Sequence, residues 1–364
     1  MSKSGDVLNY VPILVWKRMK IFIKTACGVL LCALLLASMC SCVSTEHRMY
    51  SFDVFDTVST IIGYESSKEQ FDTIAQGIID ELLEYHKLFD IYKHYDGYTN
   101  LYDVNRAAGS GVALTVDSRI IELLTFAKEM YYTTDGRVNV AMGAVLSIWH
   151  DYRAAGEDDP VNAELPPQNK LVEAGAHIDI ESIIIDKENS TVYISDPKTR
   201  LDVGAVAKGY AVERVASRLS AEGVSGYLLN IGGNVRIVGE KPGRDTWLLG
   251  VQSPENDGSY LSTLSVDKSS SLVTSGTYQR YYIVDGKPYH HIIDGDTFYP
   301  GDKYLSVSVL CADSGVADAL STALFLLDET QGRELVEKLG GIEVMWVYAD
   351  GFISSTDGFS DLEQ

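Results

Sequence analysis

Four short constellations in this sequence carry side chains able to do chemistry. In Leu201-Asp202-Val203-Gly204-Ala205-Val206-Ala207-Lys208-Gly209-Tyr210 a short strand runs through a glycine turn into a helix. Free N–H groups at a helix start favour an anion, and Lys208 in the first turn adds a charge able to reach a phosphate. The glycine pattern before Lys208 is not that of a Walker A loop. In Asp318-Ala319-Leu320-Ser321-Thr322 the i, i+4 spacing puts Asp318 and Thr322 on one helical face, where two oxygens suit one hard cation. In His290-His291-Ile292-Ile293-Asp294 a histidine beside an acidic turn can serve as general base for a hydroxyl. Paired histidines without a cysteine or a close Glu speak against zinc. Leu272-Val273-Thr274-Ser275-Gly276 and Ile231-Gly232-Gly233-Asn234 place glycine where a backbone turns tightly or approaches a ligand. Each has an ordinary reading as well: a strand–helix junction, a polar helix face, a packed histidine, two turns.

The elements that must position these groups can be read from hydrophobic periodicity. Helices are expected over Gln70–Phe89, Asp117–Thr133, Val206–Ala221, Val316–Leu327 and Gly332–Leu339. Strands are expected at Phe52–Tyr64, Ile183–Asp186, Thr191–Ser195, Trp247–Gln252, Thr263–Val266, Arg280–Val284 and Leu305–Leu310. Hairpins are expected across Gly232-Gly233 and Asp350-Gly351, and Tyr152–Lys170 reads as a surface loop. Irregular alternation of strand and helix predicts an α+β fold with mixed sheets.

The formal net charge of −21 argues against a nucleic-acid binder, which needs cations to replace counterions along phosphate. An acidic chain that holds phosphate needs local help from a metal ion, a helix N-terminus or a lysine. At the N-terminus, Lys17, Arg18, Lys20 and Lys24 precede an apolar run from Ala26 to Met39 and then Cys40-Ser41-Cys42. That is the layout of an export signal, and the run is short of the ~20 residues of a spanning helix. Cys42, after Ser41, is the expected lipidation site, and Met19 is a candidate start. Residues 1–42 are thus expected to be a signal, 43–48 a tether and 49–364 the working domain, lipid-anchored at the cell membrane on its extracytoplasmic side. Cys311 would then be the one free thiol, with no disulfide framework.

Taken in order, these segments resemble the ApbE family of FAD:protein FMN transferases. The family pattern runs D-x-G-x-x-A-K-G-Y-A, N-I-G-G-N, T-S-G, H-I-I-D-P and A-D-A-L-S-T-A. Here it falls on Asp202–Ala211, Asn230–Asn234, Thr274–Gly276, His291–Asp294 and Ala317–Ala323. The resemblance implies a two-lobed fold with a T-fold-like core. It implies Mg²⁺ on Asp318, Thr322 and the Ala205 carbonyl, FAD contacts at Asp202, Lys208 and Thr274, and His291 as base. It also implies flavin contacts at Phe55, Tyr92, Asn105 and the loop Asn139, Val140 and Ala141. Phe55-Asp56-Thr57 stands where the family has M-G-T, and Asn139–Ala144 lacks the Asp and prolines of D-P-T-V-G-P. The implied reaction moves FMN from FAD to a Thr or Ser hydroxyl of an exported or membrane-bound acceptor flavoprotein, releasing AMP. An FAD pyrophosphatase and a non-catalytic flavin-binding lipoprotein remain alternatives.

Overall fold

The structure is a computed structural model that describes residues 19, 44–243, 246–255, 257–267 and 269–364. The export signal and Cys42 lie outside the described residues. Glu46–Gln364 forms one compact unit.

Its frame is an eight-stranded sheet in the order β1-β2-β6-β7-β10-β13-β14-β15. These strands are Thr45–Ser51, Ser59–Glu65, Tyr227–Ile231, Asn234–Val238, Ser271–Gly276, Tyr304–Cys311, Glu343–Tyr348 and Ile353–Ser355. From β2 to β15 every neighbouring pair is antiparallel. Alternation of side chains along a strand sorts residues to opposite faces. Val273, Val309, Val344 and Trp346 join one apolar cluster, while Leu272, Leu310, Met345 and Val347 join another. The hairpin β8–β9 (Trp247–Gln252 and Tyr260–Val266) covers the second face through Trp247, Leu249, Val251 and Leu264.

The helices are α1 (Lys68–Phe89), α2 (Leu101–Arg106), α3 (Ser118–Thr133), α4 (Gly143–Asp158), α5 (Gln168–Gly175), α6 (Ala207–Ala221), α7 (Ser314–Leu326), α8 (Glu329–Leu339) and α9 (Asp357–Ser360). Of these, α7 and α8 pack on the first face, while α9 lies with the β8–β9 hairpin through Phe359. Ser67 caps α1 by accepting from the Gln70 N–H, and Asp313 caps α7 by accepting from the Val316 N–H. The small sheets are β3-β5-β4 (Leu114–Thr115, Thr191–Ile194, Ile183–Asp186) and the ribbon β11–β12 (Tyr281–Val284, Lys287–His290). A buried pair fixes α6 and α7 to the sheet. Arg236 of β7 donates from Nε and Nη2 to Glu213 of α6 at 2.8 and 3.1 Å, and Glu213 also accepts the Ser314 N–H at 2.8 Å. A bidentate fork of this kind holds direction as well as distance.

The α+β class stands: the ladders from β2 to β15 and those of the small sheets are antiparallel, and Met142 bridges Arg200 in parallel. Four local expectations are corrected. The stretch expected as tether already forms β1 from Thr45. The strand expected over Phe52–Tyr64 is broken by Phe55 and Asp56, both in the left-handed region at φ 50° and 51°. The segment expected as a loop continues α4 to Asp158, and α5 follows. Leu272–Gly276 is part of central strand β10 rather than a turn. Gly232 and Gly233, at φ 55° and 85°, do make the tight turn of the β6–β7 hairpin.

Candidate active site

The first wall of the site is the crossing of α6 and α7. A Cβ on Gly209 would stand 2.3 Å from the Ser314 carbonyl oxygen and 2.4 Å from the Asp318 Cβ, so only glycine permits the two helices to approach this closely. That approach brings the Gly209 N–H to Asp318 Oδ2 at 2.7 Å, and Lys208 Nζ lies 3.5 Å from Asp318 Oδ1. The positive end of α6 and the motif lysine therefore meet the buried Asp318 carboxylate, which partly satisfies both. One turn along α7, Thr322 Oγ1 has Ser275 Oγ at 3.5 Å, and Ser275 also bonds Ser321 at 2.8 Å. Asp318 Oδ1 and Thr322 Oγ1 thus each hold a single contact at the outer limit of hydrogen bonding. Both are hard oxygens of the kind a cation such as Mg²⁺ takes, and the Ala205 carbonyl implied as their third partner lies just before α6. Among the described residues no three His, Cys, Asp or Glu side chains gather to hold a metal. The oxygen set here has one carboxylate.

The sequence pointed to Thr274, but strand periodicity turns it away. Thr274 bonds Ser308 across the β10–β13 ladder at 2.8 Å, and its neighbour Ser275 is the residue that reaches α7.

The floor is the segment leading into α6. Asp202 donates its N–H to the Val140 carbonyl at 2.8 Å and accepts the Gly204 N–H on Oδ1 at 2.9 Å. Asn105 sits behind this segment. Its amide donates to the Leu201 carbonyl at 3.0 Å and accepts the Leu201 N–H at 2.6 Å, so both ends of the side chain are committed to backbone. Asn139 is committed likewise, to the Ile178 carbonyl and the Ala141 N–H, both at 2.9 Å. Val140 and Ala141 are buried in the core below. The two amides hold backbone segments of the floor, and Val140 and Ala141 pack beneath it. Part of Asp202 remains open, yet burial pushes its carboxyl above the usual range, opposed by the Gly204 N–H and then by Arg280, His150 and Arg153.

The second wall is β11–β12 with α4. The two histidines at its end have separate fates. His290 is buried, donates from Nε2 to the Gly301 carbonyl at 2.7 Å and accepts the Ile292 N–H on Nδ1 at 3.2 Å. It is saturated. His291 Nδ1 faces the Arg280 carbonyl at 3.3 Å. A carbonyl only accepts, so Nδ1 carries the proton and Nε2 keeps its lone pair. Burial first, then Arg280, His290 and Arg153, lower its pKa to about 3, so the ring is neutral at any physiological pH. Asp294 is taken up by its own turn, accepting the Asp296 N–H at 2.7 Å.

Tyr92 stands at the rim, 64% exposed, with its ring 5.5 Å from that of His150. Burial, then Asp202, raise its phenol, while Arg280 and Arg153 lower it, so all three charges lie in range. Phe55 rests 5.8 Å from His86 at the end of α1. Three residues around Asp202 and His291 escaped the sequence reading: His150 and Arg153 on α4, and Arg280. The first two lie at the i, i+3 spacing of one helical face, a signal masked by the polar stretch that follows.

The sequence matches the ApbE family over residues 55–346. A protein of Klebsiella pneumoniae named "FAD:protein FMN transferase" is 30% identical over 304 residues, 83% of this chain and 90% of that protein. One of Treponema pallidum with the same name is 30% identical over 272 residues, 71% and 73% of the two chains. The crystal structure of the ApbE protein of Thermotoga maritima superposes with a TM-score of 0.75 at 28% identity, covering 88% of this chain and all of that one. The apo flavinyl transferase ApbE of Pseudomonas stutzeri shares the fold at a TM-score of 0.71 and 23% identity, over 88% and 97% of the chains. This chain, with its Gly209–Asp318 crossing and its His291 wall, belongs to the ApbE family.

Proposed function

We propose that this protein is an Mg²⁺-dependent FAD:protein FMN transferase that modifies a Thr or Ser of an exported or membrane-bound flavoprotein. The names carried by its relatives support the flavin substrate and the protein acceptor. The observation that carries the chemistry is the fixed tautomer of His291, which leaves Nε2 free to take a proton. The acceptor hydroxyl oxygen forms a bond to the flavin-side phosphorus of FAD as its proton passes to His291 Nε2. The pyrophosphate P–O bond breaks, and AMP leaves with that bridging oxygen. Lys208 and the start of α6 attract the phosphates. Bound to Asp318, Thr322 and the Ala205 carbonyl, Mg²⁺ would offset charge developing on the leaving group.

A base whose pKa is near 3 is weak for this task. Part of the depression comes from Arg280 and Arg153, and an anionic substrate lying between those guanidiniums and the imidazole offsets that part. Export and lipid attachment at Cys42 complete the proposal and place the enzyme beside acceptors on the extracytoplasmic side of the membrane.

The test is incubation of the full chain with FAD, Mg²⁺ and an exported flavoprotein, followed by mass measurement of protein and nucleotide. Equal amounts of FMN-modified acceptor and AMP are expected. Free FMN with unmodified acceptor would make water the true acceptor and overturn the transferase reading.

A further inference from the structure

The α4–β11 wall contains positive charge that the proposed reaction has not yet used. Arg153 donates from Nη2 to His150 Nδ1 at 3.1 Å. Because a guanidinium only donates, that imidazole nitrogen is the acceptor of the contact, which orients the Arg153 fork. The other neighbour of Arg153 is Glu157, 3.8 Å from Nε and too far for a hydrogen bond. An arginine side chain only 15% exposed therefore retains uncommitted N–H groups. Arg280 is exposed, and its guanidinium has no hydrogen-bond or ion-pair partner among the described residues. In a chain of net charge −21, one guanidinium without a side-chain partner and one held only by a histidine and a loose 3.8 Å ion pair are an unusual use of cations.

Packing explains how they come together. A Cβ on Gly156 would stand 2.6 Å from the Tyr282 ring, so the missing side chain allows α4 to press against β11. Tyr282 locks the contact by donating from its hydroxyl to the Glu164 carbonyl at 3.1 Å. Arg153 is about one turn before Gly156, Arg280 is two residues before Tyr282, and the Arg280 carbonyl holds His291. The same contact thus brings both guanidiniums to the side of the base.

We propose that Arg153 and Arg280 form the binding site for the flavin-side phosphate of FAD, the one attacked by the acceptor hydroxyl, with His150 positioning Arg153. The proposal deepens the transferase reading and rests on it. The base must reach the attacking hydroxyl within hydrogen-bond distance, so the attacked phosphorus lies beside His291, on the wall that carries the two arginines. The distal phosphate then falls toward Lys208 and Asp318. Arginine matches phosphate oxygens with paired, parallel N–H groups, a geometry lysine lacks.

The test compares FAD with riboflavin, which has the same ring and no phosphate. Both are titrated into the full chain by flavin fluorescence without added Mg²⁺, and inorganic pyrophosphate is used to displace bound FAD. Arg153→Gln and Arg280→Gln are each expected to weaken FAD about 10–100-fold, to leave riboflavin affinity within about twofold, and to raise the pyrophosphate needed for displacement. Arg153→Lys should recover only part of the loss. Because Arg280 is exposed, its variant tests the site even if Arg153→Gln fails to fold. FAD affinity unchanged in both variants, or equal losses for FAD and riboflavin, would overturn the proposal. Phosphate-dependent binding without acceptor modification would sink the transferase reading and leave the site standing. A wild-type chain that binds no flavin would sink both.

Discussion

The two walls of the cleft are built by different means. The Asp318 wall is two helices crossed at Gly209, with its polar groups buried and drawn from two contiguous motifs. The His291 wall is a two-stranded ribbon leaning on α4, and its groups come from positions near 92, 150, 153, 280 and 291. The first wall is closely packed, with no room for a Cβ at the Gly209 crossing. The second is more open: Tyr92 and Arg280 face solvent, and His291 depends on one 3.3 Å contact to a carbonyl. A transferase needs both kinds of wall. Charge neutralisation requires fixed oxygens, while a protein acceptor must be able to reach the base from outside.

The sharpest way to break this comparison is at Asp318. Asp318→Ala removes the one carboxylate of the proposed metal set and the acceptor for Gly209 and Lys208. Turnover is expected to fall by roughly 10³-fold or more at every Mg²⁺ concentration. A wild-type Mg²⁺ titration curve in this variant would remove the metal from the first wall.

On the second wall, His291→Asn should slow transfer about 10²–10³-fold while FAD binding stays near wild type. If binding is lost instead, His291 holds the wall together and is not its base. The same variant has a pH signature. The folded His291 pKa, about 3, is below the ordinary value of 6.5, so the unfolded chain takes up the proton first as pH falls. The stability contribution of a neutral His291 is therefore complete above pH 6.5 and is lost between 6.5 and 3, with a slope no steeper than ~1.4 kcal/mol per pH unit. Urea midpoints at pH 7.5 and pH 4.5 should shift in favour of His291→Asn at the lower pH. Parallel shifts in the two proteins would contradict the burial of this ring.

The smallest effect on chemistry and the clearest on packing is expected for Gly209→Ala. Its Cβ meets backbone at 2.3 Å, which no side-chain rotation can relieve, so a loss of about 1–3 kcal/mol in chemical denaturation is expected. An unchanged midpoint would mean that the first wall is no stiffer than the second.

How much was legible in the sequence follows the same division. The helix carrying Asp318 and Thr322 and the glycine turn into the Lys208 helix were readable because i, i+4 spacing and a glycine turn are local signals, whereas the short strand expected from Leu201 is extended chain outside any sheet. A motif records order, while the face of a strand depends on register: Thr274 bonds Ser308 across the sheet and Ser275 reaches α7. Asn105 and Asn139 were expected at the flavin, yet their amides are committed to Leu201, Ile178 and Ala141. That use of an amide is invisible until chain segments up to 96 residues apart are brought into contact. Arg153 was hidden by a polar stretch that turned out to continue α4.

By itself, the sequence determined the α+β class, most helices and strands, the acidic character and the set of oxygens at Asp318 and Thr322, since these depend on periodicity and composition. Tertiary structure alone decided which histidine is free. Neighbours in the chain, His290 and His291 differ because one ring is enclosed between Gly301 and Ile292 while the other meets a carbonyl from Arg280. It also decided that two arginines with no local relation share one wall. Side-chain protonation and charge pairing are set by what lies across space, and the spacing of residues along a chain does not carry that information.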